Sequence, residues 1–417
     1  MRKNEETTRT QDFGAALLTP EGTRNPYAIY RLLRENSPVY WSSRLNAWLV
    51  TSHSNVREVY RRHEHFSSAR NSAENILNLP PEIRAQVPLT EIAELTLALD
   101  SADPPLHDYQ RAPISRAFGP RAMPARYGWL AELCTRQADF LATQSQPDLI
   151  AHFTTPLSYK AILSFVGVPD EHLPVFIATW RARKDMMAMS SSTMTEGALR
   201  YEETLRAFRG ALETIYCRHM EHDDDSIVSS LLHSPDGAYQ FSDDERFYIM
   251  RSIFSTAHEN LIYTIANTIL ALLEHPEQLK LVKANPELAG GAYEEVLRWN
   301  VPAHTQRRIA AADSELGGHI IRDGDRVMAY KASANRDPGF WDDPDTLDIT
   351  REAKAGTLSF GLGAHFCLGA GFARFLGATA VSTLLERFPQ LALPVGWRPS
   401  WRYRPMFYLE SLPLVLK

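Results

Sequence analysis

Apolar residues recur at intervals of three and four through Tyr27, Ile29, Leu32 and Leu33, directly after Asn25-Pro26, and this spacing predicts a helix beginning there. Val39-Tyr40-Trp41 and Ala47-Trp48-Leu49-Val50-Thr51, parted by a polar turn, read as a hairpin. From about Ala69 to Pro105 no period holds and prolines interrupt the chain. A long loop with short helical pieces is expected, of the kind that often faces ligands in compact proteins. Beyond it the helical period dominates to about Asn300. Its longest run, about Ser242 to Glu274, is apolar on most sides in the middle, so polar side chains there need partners or water. Gly317-Gly318 and Asp323-Gly324-Asp325 punctuate short strands, and a last helix follows Cys367. There is no internal repeat and no linker rich in Gly, Ser or Pro. The pattern predicts a mainly α protein with small β-sheets: residues 15–417 as one domain, behind a flexible polar tail at 1–14.

The 417 residues, with 44% hydrophobic and 23% charged positions, describe a globular chain with a substantial core. A net charge of −6 argues against broad nucleic-acid binding. Cys134, Cys217 and Cys367 are too few and too scattered for a disulfide framework or a zinc cluster, which suits a reducing cytoplasm. Neither Met1 to Gly14 nor any later run has the uncharged apolar length of a signal or membrane-spanning segment, so no membrane partner is expected.

The chemistry concentrates in Phe360-Gly361-Leu362-Gly363-Ala364-His365-Phe366-Cys367-Leu368-Gly369-Ala370-Gly371-Phe372-Ala373-Arg374, where a cysteine in a glycine-bearing loop runs into an apolar helix. A helix N-terminus offers partial positive charge and unpaired N–H donors, both of which help a thiolate stay ionised. Glycine lets backbone approach a flat ligand closely and turn N–H groups toward sulfur. An isolated Cys-x-Gly is more often a structural cysteine in a tight turn. Here the order Phe, Gly, x, Gly, x, His, x, Cys, x, Gly, closed by Ala-Arg, resembles the haem-binding segment of the cytochrome P450 family. The resemblance implies the cytochrome P450 fold, with haem b (heme b, iron protoporphyrin IX) between the long central helix and the loop of Cys367. It makes Cys367 the thiolate ligand of the iron, framed by Phe360, Gly361 and Gly369. Such a ligand favours O–O cleavage.

Further matches carry the resemblance over roughly residues 25–417. Glu295-Val296-Leu297-Arg298 puts a carboxylate and a guanidinium on one helical face, alone an ordinary ion pair. In the family this pair is buried behind the haem and joined by a downstream arginine, which Asp348-Ile349-Thr350-Arg351 assigns to Arg351. These three are structural, and losing one leaves a buried charge unpaired. His107 and Arg111, four residues apart, resemble the His and Arg that hold a haem propionate. Arg308 matches another propionate arginine, and His365 completes the set.

In the long helix, Ile253-Phe254-Ser255-Thr256-Ala257-His258-Glu259-Asn260 departs from the family's Ala-Gly-x-Asp/Glu-Thr. Ala257 takes the small position, Glu259 the acid and Asn260 the alcohol position, the three catalytic candidates for relayed proton delivery. An amide can orient water but lacks the hydroxyl's role. His258 is expected to turn away from the haem. The resemblance places substrate walls at about Ser72 to Leu99, Ala178 to Met194 and Val301 to Gln306, with Pro405-Met406-Phe407 near the end. Met186, Met187, Val301, Ala303, Met406 and Phe407 are the pocket candidates. Met186, Met187, Met189 and Met194 read equally as a soft lid or as core. Aromatic and Met-rich walls with few fixed charges favour an apolar or aromatic substrate bearing amides or hydroxyls.

No flavin or nicotinamide fingerprint is present, so the resemblance implies electrons from a ferredoxin and its NAD(P)H-dependent ferredoxin reductase. Arg111, Arg116, Arg121 and Lys354 form the candidate docking surface, scattered surface charge being the alternative. The implied protein is a cytoplasmic, monomeric haem-thiolate monooxygenase or oxidase of a small-molecule secondary metabolite. Two outcomes compete: hydroxylation or epoxidation of a macrolide- or terpene-like compound, and oxidative C–C or C–N coupling of an aromatic one. Ala-His-Glu-Asn is similar to what is expected in bacterial enzymes that couple tryptophan-containing cyclic dipeptides. A non-catalytic haem sensor is the remaining class, while Glu259 argues against a peroxide-dependent protein.

Overall fold

The helix Asp243–Glu274 organises the molecule. It begins where the sequence supplies a capping box: the Ser242 hydroxyl accepts from the Glu245 N–H at 3.3 Å, and the Ser242 N–H donates to the Glu245 carboxylate at 2.7 Å. In the computed structural model, which describes residues 12–69, 74–77, 79–119, 122–188, 193–233, 238–352, 356–403 and 406–416, this helix packs against most other layers. Its neighbours are the helices Pro88–Leu95, Thr155–Val166, Leu173–Ala188, Ala289–Trp299 and Ala370–Arg387. Ile265, Ala266 and Ile269 on its second half are fully buried. Each large side chain so buried contributes about 1.5–3 kcal/mol, which is why a helix apolar on several sides is stable only in the centre.

Among the described residues, nine short strands flank the helices. β1 (Val39–Ser42) and β2 (Ala47–Val50) form the hairpin, with Tyr40 opposite Leu49 and Trp41 opposite Trp48. β2 runs parallel to β7 (Arg326–Tyr330), which pairs antiparallel with β4 (Thr305–Ala310), and β3 (Phe66–Ser67) closes the edge. The sheet order is β1-β2-β7-β4-β3, and β2 and β7 meet through a crossover far too long for local sequence to announce. β5 (Ser314–Leu316) with β6 (His319–Ile321), and β8 (Trp401–Tyr403) with β9 (Phe407–Leu409), are separate ribbons. Gly317 and Gly318 make the first ribbon's turn at φ 56° and 80°.

The unperiodic stretch resolves into short helices, Glu74–Leu77, Pro81–Arg84 and Pro88–Leu95, each proline-started one using a missing N–H that a first turn does not need. The expected tail overlaps the described residues only at 12–14. There the chain is already ordered: Asp12 caps the helix Phe13–Leu17, Phe13 packs edge-on to Tyr40 at 5.4 Å, and Gly14 is buried beside Ser42. Met189, Arg121, Lys354 and Pro405 lie outside the described residues. No single described helix is long and apolar enough to cross a membrane.

Candidate functional site

Two segments form opposite walls of a cavity of about 470 Å³: the Cys367 loop and the long helix. The loop is fixed by its backbone. The Cys367 N–H donates to the Phe360 carbonyl at 2.8 Å, and Gly361, at φ 75°, donates to Leu358 at 2.9 Å. Gly363, at φ 74°, faces Tyr60 so closely that a Cβ would stand 2.7 Å from the Tyr60 carbonyl. The helix Ala370–Arg387 then starts at Gly369. Cys367 opens onto the cavity. Burial raises its thiol above the ordinary value, opposed by the Gly369 N–H and by the cations of Lys331, Arg111 and Arg374. Those opposing groups are what a thiolate needs once a cation sits on the sulfur.

His107, Arg111, Arg308 and His365 meet on the cavity's rim. The two imidazoles lie 4.3 Å apart, and Arg111 donates to the Phe366 carbonyl at 2.7 Å. Burial, then the charges of Arg308, His107 and Arg111, push His365 down to about 3, and its buried Nε2 has no partner. Burial also lowers Arg308, which no described carboxylate meets within ion-pair distance. His107 is held by the Asp108 carboxylate at 2.8 Å, but Arg111, Arg308 and His365 meet no described carboxylate within ion-pair distance, which fits a ligand that brings its own. Glycine on the loop beneath them fits a flat one. The residues therefore suit haem: Cys367 to the iron, the rim quartet to the propionates, and Phe360, Gly361 and Gly369, all on the cavity wall, to the macrocycle's edge.

Behind the loop, Glu295 accepts from Arg298 at 2.8 Å through both of its oxygens and from Arg351 Nε at 3.1 Å. Arg298 is almost wholly buried and spends its remaining donors on the Asn335 and Pro344 carbonyls at 2.8 and 2.9 Å. Arg351 ties in Asp342 at 2.6 Å and Asp343 at 3.1 Å. The three side chains of the sequence reading thus form one network.

The long helix turns Ile253, Thr256, Ala257, Asn260 and Thr264 toward the cavity. At 100° per residue these share a face, and Glu259 does not. Its carboxylate instead pairs with Lys184 at 2.8 Å and is nearly buried, so the acid of the expected relay is not on the cavity wall. Asn260 Nδ2 donates to the Thr256 carbonyl at 2.9 Å. His258 is fully buried on the far side, with ring centres at 4.6 Å to Trp180 and 4.7 Å to Phe254, and burial lowers it to about 4.

Of the pocket candidates only Val301 lines this cavity. Met186 is wholly buried in the core, Met187 is turned to solvent, and Ala303 and Met406 are partly buried away from the wall. Phe407 stacks on Trp401 at 4.6 Å and against His304 at 4.9 Å, because the alternation of β9 points it into the aromatic core. Arg111 faces the cavity, while Arg116 is exposed on the surface. Sequence reasoning missed Thr256 and Thr264, whose signal is the four-residue step from Asn260 in either direction. It also missed Arg307 and Lys331 on the wall; Lys331 donates to the Ser359 carbonyl at 3.0 Å and is lowered to about 8 by burial.

A haem-thiolate arrangement on a helix-dominated scaffold is what the fold and site define, and comparison with known proteins names the family. Residues 168–417 match the family model for Cytochrome P450. The chain is 30% identical over 405 residues to the biotin biosynthesis cytochrome P450 of Bacillus subtilis (strain 168), covering 95% of this chain and 98% of that one. It is 29% identical over 399 residues to 6-deoxyerythronolide B hydroxylase of Saccharopolyspora erythraea, covering 92% and 95%. Among solved structures it resembles P450BioI in complex with a hexadec-9Z-enoic acid ligated acyl carrier protein, with TM-score 0.81, 29% identity and coverage of 94% and 99%. The chain belongs to the cytochrome P450 family and is a P450 monooxygenase.

Proposed function

We propose that this monooxygenase inserts one oxygen atom into a largely apolar secondary metabolite held between the Cys367 loop and the long helix. The carrying observation is the placement of Cys367, its cationic rim and the Ala257–Asn260 face around one cavity. When bound, haem b on Cys367 supplies reductive activation of dioxygen. The chain's own residues do the rest. His107, Arg111, Arg308 and His365 hold two carboxylates and fix the cofactor's plane. Ala257 leaves space, Asn260 and Thr256 orient water beside the reacting centre, and Glu259 with Lys184 stands at the outer end of any proton path. Electrons come from a ferredoxin and its NAD(P)H-dependent reductase, to a monomer in the cytoplasm. The name of the Saccharopolyspora relative, a hydroxylase, supports oxygen insertion.

Asn260 favours a second reading. With an amide where the family has a hydroxyl, and the acid off the wall, substrate oxidation without oxygen transfer gains ground: C–C or C–N coupling of an aromatic substrate such as a tryptophan-containing cyclic dipeptide. Turnover with ferredoxin, reductase and a panel of macrolide-like, terpene-like and aromatic cyclic dipeptide substrates separates the two by product mass. One added oxygen supports the first; two lost hydrogens per new bond supports the second.

A further inference from the structure

Arg307 and Arg308 are consecutive on β4, and consecutive strand side chains leave on opposite faces. Both line the cavity, Arg308 buried and Arg307 exposed. Arg308 belongs to the Cys367 side: its guanidinium lies 5.9 Å from the Tyr60 ring centre, and its charge bears on His365. The charge that bears on Arg307 is Arg183, on the helix Leu173–Ala188.

The other charges near that wall are already matched. Arg183 donates to both oxygens of Glu94, at 2.6 and 2.8 Å. Lys184 holds Glu259 at 2.8 Å. Asp100 also lines the cavity and accepts from the Ser252 hydroxyl at 2.8 Å. The Arg307 side chain makes no hydrogen bond or ion pair with any described residue; its backbone lies in the β4–β7 ladder, and its carbonyl also accepts from the Arg308 guanidinium at 2.8 Å. The Arg307 guanidinium is exposed rather than buried, and no described side chain supplies it with a counterion, so it is free to meet an anion that enters the cavity. Its planar fork matches anionic oxygens in pairs.

We propose that Arg307 is a specificity-determining residue that anchors an anionic oxygen group of the substrate, a carboxylate or a phosphate ester. This deepens, and rests on, the reading of the cavity as the haem and substrate chamber. It adds a fixed positive charge to walls whose sequence promised few. The apolar remainder of the substrate then lies along Ile253, Ala257 and Val301.

The test is ligand binding to the holoenzyme, read from the haem Soret shift and independently by calorimetry. The probes are indole-3-propionate, its primary amide indole-3-propionamide, and phenyl phosphate. Wild type should bind at least one of the anions about ten- to a hundredfold tighter than the amide, and the preferred anion distinguishes the two sources. In Arg307→Gln that preference should collapse toward one, with haem content and the thiolate–carbon monoxide band unchanged; Arg307→Lys should restore part of it. Equal binding of acid and amide by wild type, binding of none of the probes, or a preference surviving in Arg307→Gln overturns the proposal. A wild-type protein lacking the carbon monoxide band would overturn the underlying reading as well, so the two failures are distinguishable.

Discussion

At the residue scale, the cavity separates what a side chain is from where it points. Cys367, His107, Arg111, Arg308 and His365 were legible because a dense spacing of Phe, Gly, His and Cys leaves few arrangements open, and they meet around one cavity. Glu259 was legible as an acid but not as one turned 100° off the cavity face and held by Lys184, because that partner lies 75 residues away in sequence. Cys367→Ala should abolish the thiolate–carbon monoxide band of the reconstituted protein while leaving its far-ultraviolet dichroism unchanged; a persisting band would refute the assignment. Asn260→Thr should leave folding intact and change the share of reducing equivalents lost as peroxide, measured against NAD(P)H consumed. An unchanged share would remove Asn260 from the proton path.

At the element scale, periodicity located the hairpin, the long helix and the helix after Cys367, since each advertises itself within a dozen residues. The pairing of β2 with β7 and the inward set of Phe407 were not legible, because they depend on tertiary neighbours. The same is true of Gly377, in the middle of the helix Ala370–Arg387. A Cβ there would stand 2.2 Å from Cε2 of Tyr293, a buried ring that also lines the cavity. Gly377→Ala should therefore destabilise by about 1–3 kcal/mol through overpacking, despite alanine's better helix propensity, and should disturb haem retention by pushing the ring inward. Gly210, inside the helix Met194–Glu221, has nothing within 4 Å of its Cβ position. Gly210→Ala should be neutral or stabilise by up to about 1 kcal/mol, read as an unchanged or higher urea midpoint. If the two substitutions behave alike, the close contact between the helices is not as described.

At the scale of the whole molecule, the core carries imidazoles that resist protonation. Burial lowers His258 to about 4 and His304 to about 3; His304 accepts or donates at 2.8 Å with the Tyr30 hydroxyl, and His258 sits among Tyr159, Trp180 and Phe254. Their folded values lie below the unfolded one of about 6.5, so the unfolded chain takes up protons first as pH falls. The stability tied to these groups is complete above about pH 6.5. It declines as the pH drops toward about 4 for His258 and about 3 for His304. His258 is the cleaner test, because its Nε2 has no partner and its surroundings are aromatic. His258→Phe should lose less stability than wild type between pH 7.5 and 5.5 in urea unfolding, by about 1 kcal/mol. Equal losses would mean that His258 is hydrated or already charged in the folded protein. Either state would put water, and with it a route for protons, on the face of the long helix turned away from the cavity.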